Sequence, residues 1–435
     1  MAHIKYTASN KFVYSFLVKI LLVLASLTFF LPFSPNLVET LDLQPLAPVM
    51  LLFLTLLIIG KLKLIPLDVI WIFIGSSIAC LNIIFYDSFT DIRVNLAFLT
   101  FVLAFIIGFN LLRIIKPQLM FKVLKFVLFF WLLVSVFQLF GIESSLLSPN
   151  RTTVGRGVTG IAPEPTFAAL QLIYFLPLLV IFKNLSICSQ KTFNKCVFLI
   201  FSLGLLIHIS ATAYMVVAIA FILTLIMSLD NSKLTILIFG LLISFLILSI
   251  SSFYNFNLIE YFVYPIFNLP GMPDVRILKL IEVALSGSIL LDASAFDRLL
   301  SMFKFIFDPY LFPLPRTHIL WINDVNEFVH NFFNSRTFLG VGEGYRNISG
   351  LGQLNFILGF LFVIPILGLL FHIKRCKKLE LFCLNVFFIA LFQSTPIANP
   401  MIGLSLGLLC WHRKLIKVNK KGLKKGISEN FTFLR

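Results

Sequence analysis

Apolar residues dominate this chain in long runs, and charged residues fall mostly in the intervals between them. The runs are mostly about 18–23 residues long, enough for a helix to cross ~30 Å of hydrocarbon. They fall near 13–33, 46–60, 65–85, 94–112, 119–140, 162–182, 196–209, 211–228, 233–252, 351–372, 379–396 and 400–411. Ten-residue segments of alternating polarity, the signature of a membrane barrel, do not occur. Backbone groups in lipid must be bonded within the chain, so the runs predict helices. The expected fold is an all-α polytopic membrane protein of about 12 transmembrane helices, with a large helical periplasmic loop between spans 9 and 10.

The intervals carry a second pattern. Lys61/Lys63, Arg113/Lys116, Lys183/Lys191/Lys195, Lys233, Lys374/Arg375/Lys377/Lys378, Lys5, Lys11 and the tail from Arg413 all fall on one side of such a bundle. The opposite short loops hold Glu39, Asp42, Asp87 and Asp91, with Arg93 their one base. Positively charged loops stay in the cytoplasm, so both termini are expected there. The chain then divides into 1–252 (nine spans with short loops), 253–350 (a periplasmic loop), 351–411 (three spans) and 412–435 (a basic cytoplasmic tail).

Composition sharpens the class. Hydrophobic residues make up 59% and charged residues 12%, against about 45–50% and about 25% in soluble domains. The formal charge of +16 would suit nucleic acid, but its placement in alternate loops is accounted for by topology. The six cysteines contain no C-x-x-C pair, so neither a zinc site nor a disulfide framework is indicated. No P-loop, dinucleotide fingerprint or H-E-x-x-H occurs, and no metal or other cofactor is expected. Lys19, Asp68, Lys122 and Lys125 lie close to the expected cytoplasmic ends of spans, where long side chains snorkel. No Gly/Pro-broken helix pair at mid-membrane, the mark of many transporters, stands out.

Basic residues on the outer side contravene the topology rule and so invite a reason. Ten do so: Arg93, Arg151, Arg156, Arg276, Lys279, Arg298, Lys304, Arg316, Arg336 and Arg346. Eight of these ten are arginine, whose planar, permanently charged fork suits bidentate phosphate recognition. Ordinary surface charge on a loop domain is the competing explanation for any single one. Arg151 and Arg156 belong to RTTVGRGVTGIAPEPT, in which glycines flank Arg156 and a helix start follows at Glu164-Pro165-Thr166. Pro165 fits the first helical turn, and Glu164 is favoured beside the positive end of the helix dipole.

The 253–350 stretch reads as two or three amphipathic helices separated by Pro and Gly. Ser294 and Asp297 suggest a capping box for a helix near 295–308 that carries Arg298. In NEFVHN, a helical backbone would put Glu327 and His330 on one face, where the carboxylate could orient the imidazole as a general base requires. His208 and His318 are expected to face outward, without metal-ligand spacing.

These features together resemble the bacterial O-antigen polymerase (Wzy-type) family and the related O-antigen ligases. The resemblance lies in the span number, the Arg/Gly outer loop running into Glu164-Pro165-Thr166, the Ser294…Arg298-Leu299-Leu300 segment, and His330-Asn331 before Ser349-Gly350-Leu351-Gly352. Two departures stand out: Leu311-Phe-Pro-Leu-Pro315-Arg316 replaces a Gly-x-Gly turn, and Ser210-Ala-Thr212 stands where relatives show Ser-Arg. The resemblance implies an inner-membrane glycosyltransferase of lipopolysaccharide or other polysaccharide biosynthesis. Its substrate would be an undecaprenyl-diphosphate-linked oligosaccharide, presented among membrane lipids, with a chain-length-regulating co-polymerase as a further partner. It implies diphosphate binding by Arg151, Arg156 and Arg298, catalysis by His330 or Glu164, and further substrate contacts by Arg336, Arg346 and Glu327. A ligase transferring polysaccharide to lipid A core and a lipid-linked oligosaccharide flippase are the alternatives.

Overall fold

The computed structural model describes residues 20, 29–33, 46–85, 89–142, 158–229, 312–333, 349–373, 376–392 and 397–424. Every regular element among them is helical: α1 (Leu46–Ile58), α2 (Pro66–Phe85), α3 (Phe89–Ile114), α4 (Pro117–Leu139), α5 (Pro165–Ile173), α6 (Leu176–Asn184), α7 (Gln190–Phe201), α8 (Ala211–Ser228), α9 (His318–Phe333), α10 (Gly350–Leu358), α11 (Val363–Ile373), α12 (Lys378–Ala390) and α13 (Pro400–Lys424). Prolines open α2, α4, α5 and α13, where a missing N–H costs nothing.

Six helical stretches among the described residues are long and apolar enough to cross a membrane: Pro66–Phe85, Asp91–Ile114, Pro117–Leu139, Pro165–Asn184, Gln190–Ile207 and Gly350–Leu370. The apolar helices Ala47–Ile58 and Thr212–Ser228 are shorter. Of the remaining expected spans, 379–396 corresponds to the 13-residue α12, and 400–411 is the first half of α13. The expected span 233–252 and most of 13–33 lie outside the described residues, as does the helix expected near 295–308. The helices are those of a multi-pass membrane protein. Their outward faces carry the large apolar side chains that lipid accepts and water does not, such as Phe73 (71% exposed) on α2 and Phe126 (68%) on α4.

The bundle is organised around α3, which packs against α1, α2 and, most extensively, α13. Glycine makes that last contact possible. Gly403 and Gly407, one turn apart on α13, lie against the α3 backbone at Phe101 and Phe105, while Gly108 of α3 lies against the backbone of Leu404. Small residues let helices approach this closely where lipid offers no hydrophobic drive to associate.

Two contacts involve residues of the basic loops. The Lys63 amide donates to Asn110 Oδ1 at 2.9 Å, joining the α1–α2 connection to the last turns of α3. Lys183 at the end of α6 pairs with Glu380 at the start of α12. We refer to this as the Lys183 end, and to the opposite one, where α2 ends and α3 begins, as the Asp91 end. Asp68 departs from the expectation of snorkelling. It is buried, accepts a hydrogen bond from Trp71 Nε1 at 3.2 Å and sits within electrostatic reach of Arg413. A short carboxylate cannot reach past the helix ends as a lysine does.

Three helices are interrupted, contrary to the sequence expectation. The α5–α6 rod breaks at Tyr174–Phe175, ahead of Pro177, whose ring clashes with the carbonyl four residues back. The α10–α11 rod breaks at Gly359, which has a φ of +50°. The third, α7, ends in a π turn over Ser202–Ile207. Ser405 Oγ donates to the Tyr174 carbonyl at 3.0 Å, so a neighbouring helix satisfies part of what the first break frees.

Candidate functional site

Two polar assemblies occupy the Asp91 end. The first is built around the segment Val158–Thr166. Glu164 is the extended residue that precedes α5, with φ −140° and ψ 152°, and Pro165 takes the first turn. Its carboxylate makes no capping bond, so the helix start owes its position to other groups. Gln138, near the end of α4, supplies one of them. Its amide grips the Gly160 peptide at both points: Nε2 donates to the Gly160 carbonyl at 2.8 Å, and Oε1 accepts from the Gly160 N–H at 2.7 Å. Ser210 Oγ donates to Thr166 Oγ1 at 3.3 Å and accepts from the Ala213 amide, capping α8 at the same time.

His208 supplies another fixing point. Its Nδ1 lies 2.7 Å from the Val158 carbonyl; a carbonyl can only accept, so Nδ1 carries the hydrogen. The ring is fully buried, edge-on to Trp131. Gly160 has a φ of +61°, and a Cβ there would stand 3.0 Å from Trp131 and 3.1 Å from His208. Glycine is therefore required at this position for both conformation and space.

The second assembly docks the 312–333 segment on the bundle. The Arg316 amide donates to Asn82 Oδ1 at 3.0 Å, and the His318 amide donates to Asp91 Oδ1 at 2.6 Å. Asn82 in turn donates to Asn95, which donates to the Asp91 carbonyl. The Arg316 guanidinium is buried, 5.9 Å from the Trp321 ring centroid and 5.8 Å from that of Phe356. Its Nη2 donates to the Phe356 carbonyl at 3.3 Å, just before the Gly359 break. Thr317 Oγ1 accepts from the Leu320 amide and caps α9.

Both His208 and His318 are fully buried. Hydrogen-bonded loops cover them, a tertiary effect that a position at a helix end does not reveal. Burial pushes the His318 imidazole down to about 4, opposed by the charge of Asp91. The neutral ring is thus the one that docks. Docking is expected to be strongest above about pH 6.5, to weaken as the pH falls toward about 4, and to level off below. Amide exchange of α9, corrected for intrinsic rates, measures this; protection that does not change over that window would contradict it.

Of the residues to which the resemblance assigns a role, Glu164, Glu327 and His330 are described; Arg151, Arg156, Arg298, Arg336 and Arg346 lie outside the described residues. Glu164 stands at the α5 start. Glu327 and His330 belong to α9, whose helix covers the whole NEFVHN stretch, and Glu327 is exposed. His330 is twelve residues beyond His318, about 18 Å along the axis. Gln138, Ser210 and Asn82 were not singled out as site residues. Their sequence signal is a hydrogen-bonding side chain in or beside an apolar run, where each demands a partner. Among the described residues, no group of three or more His, Cys, Asp or Glu could hold a metal ion.

Compared with protein-family models, curated proteins and solved structures, the chain matches none.

Proposed function

We propose that this protein is an inner-membrane glycosyltransferase that polymerises undecaprenyl-diphosphate-linked oligosaccharide repeat units into O-antigen or a related surface polysaccharide. The Asp91 end then faces the periplasm, with both termini in the cytoplasm, as the distribution of loop charge requires. One observation carries the reading beyond the sequence resemblance. The segment that continues from Arg151 and Arg156 is clamped by Gln138, His208 and Ser210 at the end where the Arg316–Phe333 segment docks. A diphosphate-linked donor needs cations and a proton acceptor at one such surface.

The reaction follows from the substrate. A sugar hydroxyl of one unit attacks the anomeric carbon of the growing chain, the carbon–oxygen bond to diphosphate breaks, and the hydroxyl proton passes to a base. Arg151, Arg156 and Arg298 serve the charge that develops on the leaving diphosphate, so the mechanism requires no divalent ion. His330 or Glu164 takes the proton. Glu327, Arg336 and Arg346 make further substrate contacts.

Arg156→Ala is expected to abolish chain extension without loss of inserted protein, leaving single-repeat surface glycan in place of a ladder. An intact ladder would remove Arg156 from the site. The interruptions at Tyr174–Phe175 and Gly359 favour a second reading, a lipid-linked oligosaccharide flippase, because transporters place broken helices at their substrate sites. Purified protein supplied with lipid-linked repeat units separates the readings. Polymer supports the polymerase, attachment to lipid A core a ligase, and translocation without covalent product the flippase.

A further inference from the structure

We propose that His208 is a positioning residue, whose Nδ1–H bond to the Val158 carbonyl holds the segment 158–164 on the bundle and so sets where Glu164 stands. The inference rests on the polymerase reading only for the purpose of the device; the device itself is argued from geometry.

The direction of the bond is fixed by chemistry, since Val158 offers only an acceptor at 2.7 Å. The other ring nitrogen has no such purpose. Nε2 is buried and has no hydrogen-bond partner among the described residues. A buried nitrogen left in this state is unfavourable, so full hydrogen-bond satisfaction is not what holds a histidine here. Two properties of the ring remain: a donor at the δ position and a flat body. The body fills the space beside Trp131 and Gly160, where a side-chain Cβ on residue 160 would stand 3.1 Å from the ring. Gln138 holds the Gly160 peptide from the other side. The loop is thereby gripped at two carbonyls, those of Val158 and Gly160, six and four residues before Glu164. His208 itself closes the π turn at the end of α7 and is followed by Ser210, which binds Thr166. One tight connection therefore fixes both sides of Glu164, at 158 and at 166.

Asparagine and glutamine separate the two ring nitrogens. Asparagine places an N–H donor where Nδ1 lies and no nitrogen at the ε position; glutamine does the reverse. The test uses full-length protein purified in mild detergent, with Ile161→Cys as reporter because Ile161 is fully buried in this segment. Maleimide labelling at 161, followed by peptide mass spectrometry, reads the opening of the loop. Labelling is expected to be slow with His208 and with His208→Asn, and about tenfold faster with His208→Gln and His208→Ala. Labelling of His208→Asn as fast as His208→Ala, or of His208→Gln as slow as His208→Asn, would overturn the proposal. If His208→Ala does not fold, the comparison of Asn with Gln decides alone. Polymer formation from lipid-linked repeat units is the second readout, with His208→Asn retaining activity and His208→Gln losing it. Activity retained by His208→Gln at the native level would also count against the proposal. Absence of polymer from the unmodified protein would defeat the polymerase reading, while the labelling order would still decide the role of His208.

Discussion

Gly407→Leu is expected to abolish the monodisperse, folded protein, the largest structural effect of any single substitution considered. A Cβ at 407 would press on the Phe105 carbonyl oxygen and stand 2.7 Å from the Phe109 nitrogen. Both obstacles are backbone atoms of α3 and cannot move aside without moving the helix. Gly403 and Gly108 are under the same constraint, with a Cβ 2.6 Å from the Phe101 carbonyl and 2.5 Å from the Leu404 carbonyl respectively. Relief at 407 therefore means separating α3 from α13 along their whole contact. Over-packing by a few methylenes typically costs about 1–3 kcal/mol, and separation of the central pair forfeits more, against a total stability of about 5–15 kcal/mol. Size-exclusion profile and thermal midpoint in detergent measure the effect. Gly60→Ala is the control, with no atom within 4 Å of its Cβ and an expected change within about 0.5 kcal/mol. A Gly407→Leu protein with native elution and midpoint would dismiss backbone-to-backbone packing as the basis of the bundle.

Arg316→Ala is expected to release the 312–333 segment from the bundle while the bundle itself survives. The guanidinium donates to the Phe356 carbonyl and lies near the Trp321 and Phe356 rings. Its loss leaves a buried carbonyl exposed to a cavity and removes the cation from between the rings. A hydrogen bond to a charged group contributes about 1.5–3 kcal/mol, which corresponds to roughly a ten- to hundredfold loss of protection in the amides of His318–Ile322. Arg316→Lys is expected to fall between, because the ammonium is a point donor without the planar fork. Hydrogen exchange by mass spectrometry reads both variants. Native protection in Arg316→Ala would mean that the Asn82 and Asp91 bonds suffice to hold the segment.

Much of the bundle was legible from residues alone, and each success has a local cause. The apolar runs report helices because lipid leaves the backbone no other way to bond itself. Glu164-Pro165 marked a helix start that α5 confirms at Pro165, since proline at the first turn is a matter of one residue's covalent geometry. The Gly403-x-x-x-Gly407 pair was not singled out in the sequence, and its spacing does not say which helix it meets. The breaks at Tyr174 and Gly359 had only weak signals, because a proline or glycine within an apolar run is tolerated by a continuous helix when neighbours re-satisfy the backbone.

The candidate site was less legible for a different reason. A run of leucines is satisfied by any apolar neighbour, so its class follows from the sequence with no knowledge of partners. A buried amide or imidazole is satisfied only by one complementary group at about 3 Å, and that group comes from elsewhere in the chain. Gln138 meets Gly160 across 22 residues, Arg316 meets Phe356 across 40, and His208 meets Val158 across 50. By itself the sequence determined that this is a helical membrane protein and where α5 starts. Only the tertiary structure decided that His208 and His318 are buried and which polar groups clamp the loop before Glu164. Hydrophobic burial is non-directional and can be read from pattern, whereas a hydrogen bond is directional and requires its partner in place.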